Sequence, residues 1–124
     1  MNHIILFLNR YEKGLKMQLL SRSEEIVLLA IWKLRDEAYG ITIREQVIKM
    51  TGNPWTIGAI YAPLHRLEKK GYVKTRKGAP VKERGGRHKV FYEITPLAKN
   101  TLFRAHEIHD SAWAEIRAME AEKA

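Results

Sequence analysis

The spacing of apolar residues changes twice along this chain, and this change restricts the possible folds more than any other feature. Between residues 26 and 67, apolar residues recur every three or four positions; over 90–94 they alternate; from 98 the helical spacing returns. The first spacing is typical of an amphipathic helix and the alternation of a half-buried strand. The sequence therefore predicts a mainly α protein with one small β-hairpin, followed by a last helix.

Signals at helix ends divide the first part of the chain into three helices. Ser21 with Glu24, and Thr42 with Glu45, each match a capping box, in which two side chains satisfy backbone donors at a helix start. Thr56 is the expected N-cap of the third helix. The corresponding stop signals are Gly40, Gly52, Pro54 and Gly71.

The predicted hairpin joins a strand at residues 72–76 to a second strand at 90–94. The connecting loop, residues 77–87, is basic and contains three glycines. Thr95 then caps a last helix with Pro96 in its first position, where proline is favoured. This helix can continue to about residue 121, which gives a length of about 39 Å.

The basic residues are concentrated in one segment. Lys plus Arg total 22 and Asp plus Glu total 14, a formal charge of +8. Residues 66–89 hold ten basic and two acidic residues, so this segment carries the whole excess and the remainder is neutral. Such a concentration is typical of proteins that bind nucleic acid or another anionic partner, although a solvated lysine-rich loop is the simpler alternative.

Several classes of protein are disfavoured by the sequence. No apolar run reaches the length of about 20 residues that crosses a bilayer, and the run 4–8 lacks the flanks of a signal peptide, so we expect a cytoplasmic protein without membrane contact. The chain has no cysteine, which excludes a disulfide scaffold and a thiolate zinc site. It also has no nucleophile-elbow, phosphate-loop or zinc-protease motif. We expect neither enzymatic activity nor a cofactor.

Three helices, a basic hairpin and a final helix form the layout of a winged helix-turn-helix domain. We place this domain at residues 21–95, between an N-terminal extension at 1–20 and a dimerisation helix at 96–124. Its third helix would enter the major groove of DNA and its hairpin, the wing, would lie along the phosphates. The predicted DNA-binding residues are Tyr39, Thr56, Gly58, Tyr61, Ala62, His65, Lys69, Lys77, Lys82, Arg84, Arg87 and Lys89.

The argument for the third helix depends on its helical wheel. The side opposite Ile60 carries Gly58, Ala62, His65 and Lys69. The two small residues permit close approach to the groove, and His65 and Lys69 can donate hydrogen bonds. The amides that follow the cap at Thr56 favour a phosphate, as helix N-termini generally do.

Five nearby residues also have a purely structural interpretation. We expect Tyr39 to pack at a helix junction more than to contact DNA, and Trp55 to brace the turn before the third helix. For Tyr61, packing and a phosphate contact are equally weighted. Arg66 can bond to a neighbouring helix, and Glu68 is expected to pair within the chain because a carboxylate would repel phosphate.

Motifs across residues 23–100 make the chain similar to the PadR family of transcriptional regulators. They are Tyr39-Gly40-Ile41, Gly58-Ala59-Ile60-Tyr61-Ala62-Pro63-Leu64, Arg66-Leu67-Glu68, Gly86-Arg87 and Phe91-Tyr92-Glu93-Ile94-Thr95. One departure is Ala62, which stands between Tyr61 and Pro63 where the family usually has Leu-Tyr-Pro. The resemblance implies a dimeric DNA-binding repressor, or occasionally an activator. It also implies that C-terminal helices form the dimer and that a small molecule can be sensed.

The last helix carries a heptad seam that is compatible with dimerisation. Its positions are Ala98, Leu102, Ala105, His109, Ala112, Ile116 and Met119. The predicted interface residues are Leu102, Ala105, His109, Ala112, Trp113 and Ile116. Packing of the helix on its own domain is the alternative, but its length favours a partner.

Two further interpretations of this helix stay open. Phe103 and Trp113 lie beside the seam, where they could line a cavity for a flat hydrophobic effector, although packing without a ligand is favoured. His106 and His109 could form half of a metal site shared across a dimer, but surface histidines are the favoured interpretation, and we predict no metal.

We therefore predict a sequence-specific, dimeric transcriptional regulator of the repressor type that binds an inverted-repeat operator through its third helix and wing. One alternative is an RNA-associated winged helix, although the deep, narrow major groove of double-stranded RNA excludes a helix. Another is a protein-interaction module whose basic wing binds an acidic partner.

Overall fold

The computed structural model describes residues 19–80 and 88–123. The helices in this part of the chain are α1 (Arg22–Leu34), α2 (Gly40–Thr51), α3 (Ile57–Lys69) and α4 (Pro96–Lys123), with a 3-10 turn at Arg35–Glu37. The strands are β1 (Val73–Pro80) and β2 (His88–Ile94). The predicted order of elements is confirmed. None of the described helices combines the length and apolar character needed to cross a bilayer.

The starts of α1 and α2 are both fixed by side-chain caps, but in different ways. At α1 the predicted capping box is present: the Glu24 amide donates to Ser21 Oγ at 3.2 Å, and the Ser21 amide donates to Glu24 Oε1 at 2.8 Å. The prediction that Thr42 is the N-cap of α2 is wrong, because α2 begins at Gly40. Thr42 instead lies inside the first turn, where its hydroxyl accepts from the Tyr39 amide at 3.0 Å and donates to the Glu37 carbonyl at 2.6 Å.

Helix α3 begins at the predicted cap and ends at the predicted glycine. The Ala59 amide donates to Thr56 Oγ1 at 3.1 Å. Pro63 is accommodated within a continuous helix and is buried. Gly71 has a φ of 80°, a conformation that favours glycine and reverses the chain into β1.

The core is formed by the inner faces of all four helices and the start of the hairpin. The fully buried large side chains are Val27, Leu28, Ile31, Ile43, Val47, Ile60, Leu64 and Leu67. Tyr72 and Val73 of the hairpin, and Ala98 and Leu102 of α4, join the same cluster. Burial of these apolar surfaces holds α3 against α1 and α2, so the opposite side of α3 is left on the surface.

The hairpin is antiparallel and longer than predicted. Its register pairs Val73 with Ile94 and Lys77 with Val90, and after an irregularity Pro80 pairs with His88. In the part of the hairpin beyond residue 76, His88 Nδ1 of β2 lies at a hydrogen-bonding distance of 2.6 Å from the Gly78 carbonyl of β1.

The last helix follows directly from the hairpin through Thr95. The Thr95 hydroxyl accepts from the Ala98 amide at 3.3 Å, as expected for an N-cap, and donates to the Gly71 carbonyl at 2.9 Å. One buried hydroxyl therefore joins the start of α4 to the end of α3. The side chains of α4 from residue 110 onwards are exposed.

Candidate nucleic-acid interface

The outward face of α3 is the face that the helical wheel predicts. Gly58, Ala62, His65 and Lys69 are all exposed, whereas the opposite side of the helix contributes to the core. The first backbone amides of α3 have no carbonyl acceptor within the helix. That of Ala59 donates to the side chain of the N-cap residue, Thr56. The helix therefore presents its partly positive N-terminus and a smooth surface of small side chains on the same side of the molecule.

The turn between α2 and α3 is held by Trp55, which confirms its expected bracing role. The indole Nε1 of Trp55 donates to Thr51 Oγ1 at 3.1 Å. Arg44 Nε donates to the Trp55 carbonyl at 2.6 Å. These two bonds fix the direction in which α3 leaves the turn.

The other end of α3 is attached to α1 by a buried carboxylate. Glu24 is 2% exposed, and its Oε2 lies 3.0 Å from Lys70 Nζ and 3.5 Å from Arg66 Nε. Burial by itself would raise the pKa of the Glu24 carboxyl, but the Ser21 amide and Lys70 hydrogen bonds hold this pKa below its ordinary value. The expected bond from Arg66 to a neighbouring helix is thus confirmed, and Arg66 and Lys70 are partly neutralised within the domain.

Glu68 also pairs within the chain, as predicted. Its partner is Thr75 of β1, whose hydroxyl donates to Glu68 Oε2 at 3.3 Å, rather than either of the adjacent lysines. Lys69 and Lys77 are exposed and form no ion pair with another described residue. Among the residues that the structure describes, no carboxylate neutralises these two cations.

The hairpin is docked on the segment between α1 and α2. The Tyr92 amide donates to the Ala38 carbonyl at 2.8 Å. Arg76 Nη2 donates to the Asp36 carbonyl at 3.2 Å, and the Arg76 guanidinium lies 4.3 Å from the centroid of the Phe91 ring. These contacts set the angle between the hairpin and α3.

Two predicted DNA-binding residues, Tyr39 and Lys89, belong to the same junction. The Tyr39 ring is half-buried and meets the Phe91 ring edge-on, with 5.5 Å between centroids. Lys89 Nζ lies 4.2 Å from the centroid of the Tyr39 ring. The packing interpretation of Tyr39 is therefore confirmed, and a DNA contact by either residue stays a prediction.

The remaining predicted DNA-binding residues differ in how the structure places them. Tyr61 is 42% exposed at the flank of α3, and its hydroxyl lies so close to Gly40 that a Cβ there would collide with it. Packing on Gly40 thus accounts for the ring, and a phosphate contact stays a prediction. Lys82, Arg84 and Arg87 lie outside the described residues.

The predicted interface seam on α4 divides into a covered and an exposed part. Leu102 is only 6% exposed because it packs into the domain's own core, so its expected place at a subunit interface is corrected. Ala105 and His109 are half-buried. Ala112, Trp113 and Ile116 are exposed, as is Met119 at the end of the seam, so the exposed part of the seam begins at residue 112.

His109 marks the point where α4 leaves the domain. Its Nε2 lies 3.5 Å from Glu25 Oε1 of α1. His106 instead pairs along α4, with 3.2 Å between its Nε2 and Asp110 Oδ2. Among the described residues, no group of three or more His, Asp or Glu side chains could hold a metal ion.

The Glu24 anchor and the docking contacts of Arg76 and Phe91 were not predicted as such. Glu24 was interpreted only as part of a helix cap. Its spacing from Val27, Leu28 and Ile31 places it on the buried face of α1, and this is the signal in the sequence that could have revealed it.

A helix-turn-helix with a docked basic hairpin is the architecture of winged-helix transcriptional regulators. Residues 28–103, more than half of the chain, match the profile of the "Transcriptional regulator PadR-like family". The chain belongs to this family of DNA-binding transcriptional regulators, as the motifs indicated. Membership agrees with the expectation that it is not an enzyme. Comparison with curated protein sequences finds no match.

Solved structures with the same fold include three regulators of low sequence identity. A transcriptional regulator from Clostridium thermocellum is 24% identical, with a TM-score of 0.63 over 77% of this chain and 89% of that chain. A PadR family regulator from Clostridium difficile is 23% identical, with a TM-score of 0.54 over 80% and 95%. A PadR family regulator from Eggerthella lenta is 16% identical, with a TM-score of 0.62 over 95% and 92%.

Proposed function

We propose that this protein is a dimeric repressor that binds an inverted-repeat operator, with α3 in the major groove and the hairpin along the phosphates. The observation that carries the proposal is the exposed face of α3, where Gly58 and Ala62 leave room for a base-pair edge and His65 and Lys69 supply donors. The exposed cations of Lys69 and Lys77 lie on α3 and on the hairpin. A protein acting on DNA in this way would work in the cytoplasm.

The dimeric part of the proposal is supported by the free end of α4. Trp113 is 58% exposed, Ile116 is 46% exposed and Met119 is also exposed. Apolar surface left in water costs about 25 cal/mol per Å², so pairing of two copies would stabilise this segment. A two-fold pair would set two α3 helices side by side and match half-sites about 34 Å apart.

A site for a hydrophobic effector is the second candidate role of the aromatic rings on α4. The rings of Phe103 and Trp113 are exposed on α4, and Phe103 meets the Trp32 ring edge-on at 5.6 Å between centroids. A flat apolar molecule would stack on these rings between two subunits. Packing of the two subunits without a ligand remains the favoured interpretation.

Selection of fragments from a random pool of duplex DNA tests the function. We expect enrichment of one inverted repeat, and competition by that repeat but not by structured RNA. Enrichment of no sequence would contradict the proposal, and preference for RNA would support the RNA-associated alternative. Binding of an acidic protein without any affinity for DNA would support an interaction module.

Sedimentation tests the dimer separately. Ile116→Glu places two like charges near the two-fold axis and should give a monomer that has lost most of its operator affinity, since two-site binding is lost. Ala118→Glu is the matched control, because it adds the same charge on the opposite side of α4. A wild-type monomer at micromolar concentration would refute the dimer.

A further inference from the structure

The first two turns of α3 offer almost no hydrogen-bonding side chain to a ligand. Ile57 is 45% exposed, and Ala59 and Ala62 are also exposed. Of the two nearby hydroxyls, that of Thr56 accepts from the Ala59 amide, and that of Tyr61 lies beside Gly40 at the flank of the helix. On the outward face, the first polar side chain is His65 in the third turn of the helix.

This composition restricts which base-pair edges the helix can recognise. The N-terminal residues of a recognition helix are those that meet base edges in the major groove. Polar base edges that lose water without gaining a partner are costly, and an apolar side chain cannot replace that water. The 5-methyl group of thymine is the apolar feature that the major groove of unmodified DNA presents. An apolar helix start is therefore complementary to thymine.

We propose that Ile57 and Ala62 recognise thymine 5-methyl groups, which makes each operator half-site dependent on thymine at the positions facing the start of α3. The inference rests on the proposed DNA-binding function and specifies the chemistry of the base contacts. The two residues lie about 7.5 Å apart along the helix axis at about 1.5 Å per residue. At about 100° per residue they also point about 140° apart around the helix, so the two side chains flank the surface of Gly58 and would meet different base pairs.

Gly58 supports this arrangement because the fold does not require a glycine there. A Cβ built on Gly58 would meet only Thr56 Oγ1, at 4.0 Å, and the backbone has no positive φ. The missing side chain instead leaves space for the helix backbone to approach the groove between Ile57 and Ala62. His65 is then the donor for a polar base edge further along the half-site.

Duplexes containing deoxyuridine test the proposal. The operator obtained from the random pool is synthesised with thymine replaced by deoxyuridine at single positions of both half-sites, which removes the methyl group and keeps the base pairing. Full-length protein should bind at least one substituted duplex about fourfold more weakly per lost contact, equivalent to about 0.8 kcal/mol. Ile57→Ala should remove the penalty at one position, and Ala62→Gly at another.

Leu97→Ala is the matched control, since Leu97 is also an exposed apolar residue in the first turn of a helix. This variant should retain the whole deoxyuridine penalty. Sequence-specific binding with no penalty at any position, or an operator without thymine in its half-sites, would overturn the inference and leave the proposed function intact. Penalties that persist in both α3 variants would likewise overturn the assignment to Ile57 and Ala62. Failure to bind any DNA would overturn both proposals.

Discussion

Lys70 Nζ donates a hydrogen bond of 3.0 Å to Glu24 Oε2, across 46 positions of the chain. The bond joins the capping box at the start of α1 to the C-cap residue of α3. Arg66 lies near the same carboxylate oxygen, so two cations of the basic segment share one buried anion. The position of α3 thus depends on a polar anchor at one end as well as on its apolar face.

Glu24→Gln should destabilise the protein. Glutamine keeps an oxygen for the Ser21 amide but loses the charge that Lys70 and Arg66 contact. Because both cations are partly exposed, we expect a loss of about 1–3 kcal/mol in the free energy of unfolding. Urea denaturation at neutral pH measures it. Glu25→Gln, in the same turn but more exposed, is the control and should cost less.

The pH dependence of stability should also change in Glu24→Gln. The folded pKa of Glu24 is lowered from its ordinary value of 4.5, so its stabilising contribution is complete above that pH and is lost as the pH falls through the folded pKa. The variant lacks this contribution. Its free energy of unfolding should therefore decline less steeply than that of the wild type as acid is added below pH 4.5. Parallel acid profiles for the two proteins would contradict this role of Glu24.

Two glycine substitutions should have opposite effects on stability. Gly40→Ala places a Cβ against the Tyr61 side chain and should cost about 1–3 kcal/mol. Gly58→Ala meets open space within a helix and should stabilise the protein by about 0.5–1 kcal/mol. Thermal unfolding compares them. Combining Gly40→Ala with Tyr61→Ala should give less than the sum of the single losses, and strict additivity would refute the contact.

Replacement of Arg35 by glycine should stabilise the protein. It ends α1 with a φ of 52° and a ψ of −118°, a conformation that is strained for a side chain with a Cβ. Relief of this strain outweighs the entropy cost of a more flexible unfolded chain. Arg35→Gly should raise the free energy of unfolding by about 1 kcal/mol. Lys33→Gly, within the last turn of the same helix, should instead lower it by about 1 kcal/mol.

Lys77 on the hairpin should contribute to DNA affinity in the same way for every sequence. Its side chain is exposed and has no ion pair with another described residue. Lys77→Ala should weaken binding to specific and random duplexes alike, and should reduce the slope of log affinity against log salt by about 0.9. Lys123→Ala, at the far end of α4, should leave this slope unchanged. A slope unchanged by Lys77→Ala would assign the phosphate contacts to other residues.

Local signals predicted most of the fold, because the helix ends in this chain are encoded by single residues. Ser21, Thr56, Gly71 and Thr95 act in the structure as the sequence indicates. The start of α2 was misplaced because a threonine in a helix N-terminal turn can cap from either of two positions. Thr42 bonds back to Glu37, a partner that lies in the preceding 3-10 turn.

The part of the candidate site that depends only on which side chains are exposed could be predicted from the sequence. The part that depends on contacts between distant segments could not. The outward face of α3 follows from helical periodicity, and the structure confirms its exposure. The docking of Arg76 and Lys89 on aromatic rings depends on how the hairpin folds back on the α1–α2 segment, which no local pattern encodes. Leu102 was predicted to lie at a subunit interface because a heptad seam has the same pattern whether it packs on its own domain or on a second subunit.

The contact between His109 and Glu25 would have a mechanical consequence in the proposed dimer, which binds two half-sites. Beyond this contact α4 continues without support from its own domain to Lys123. At about 1.5 Å per residue this free arm is about 21 Å long, so a tilt of about 10° at its base moves its far end by about 4 Å. That displacement is close to the rise of about 3.4 Å for one base pair. In the proposed dimer, the stiffness of this one junction would therefore set how far the number of base pairs between the two half-sites can vary.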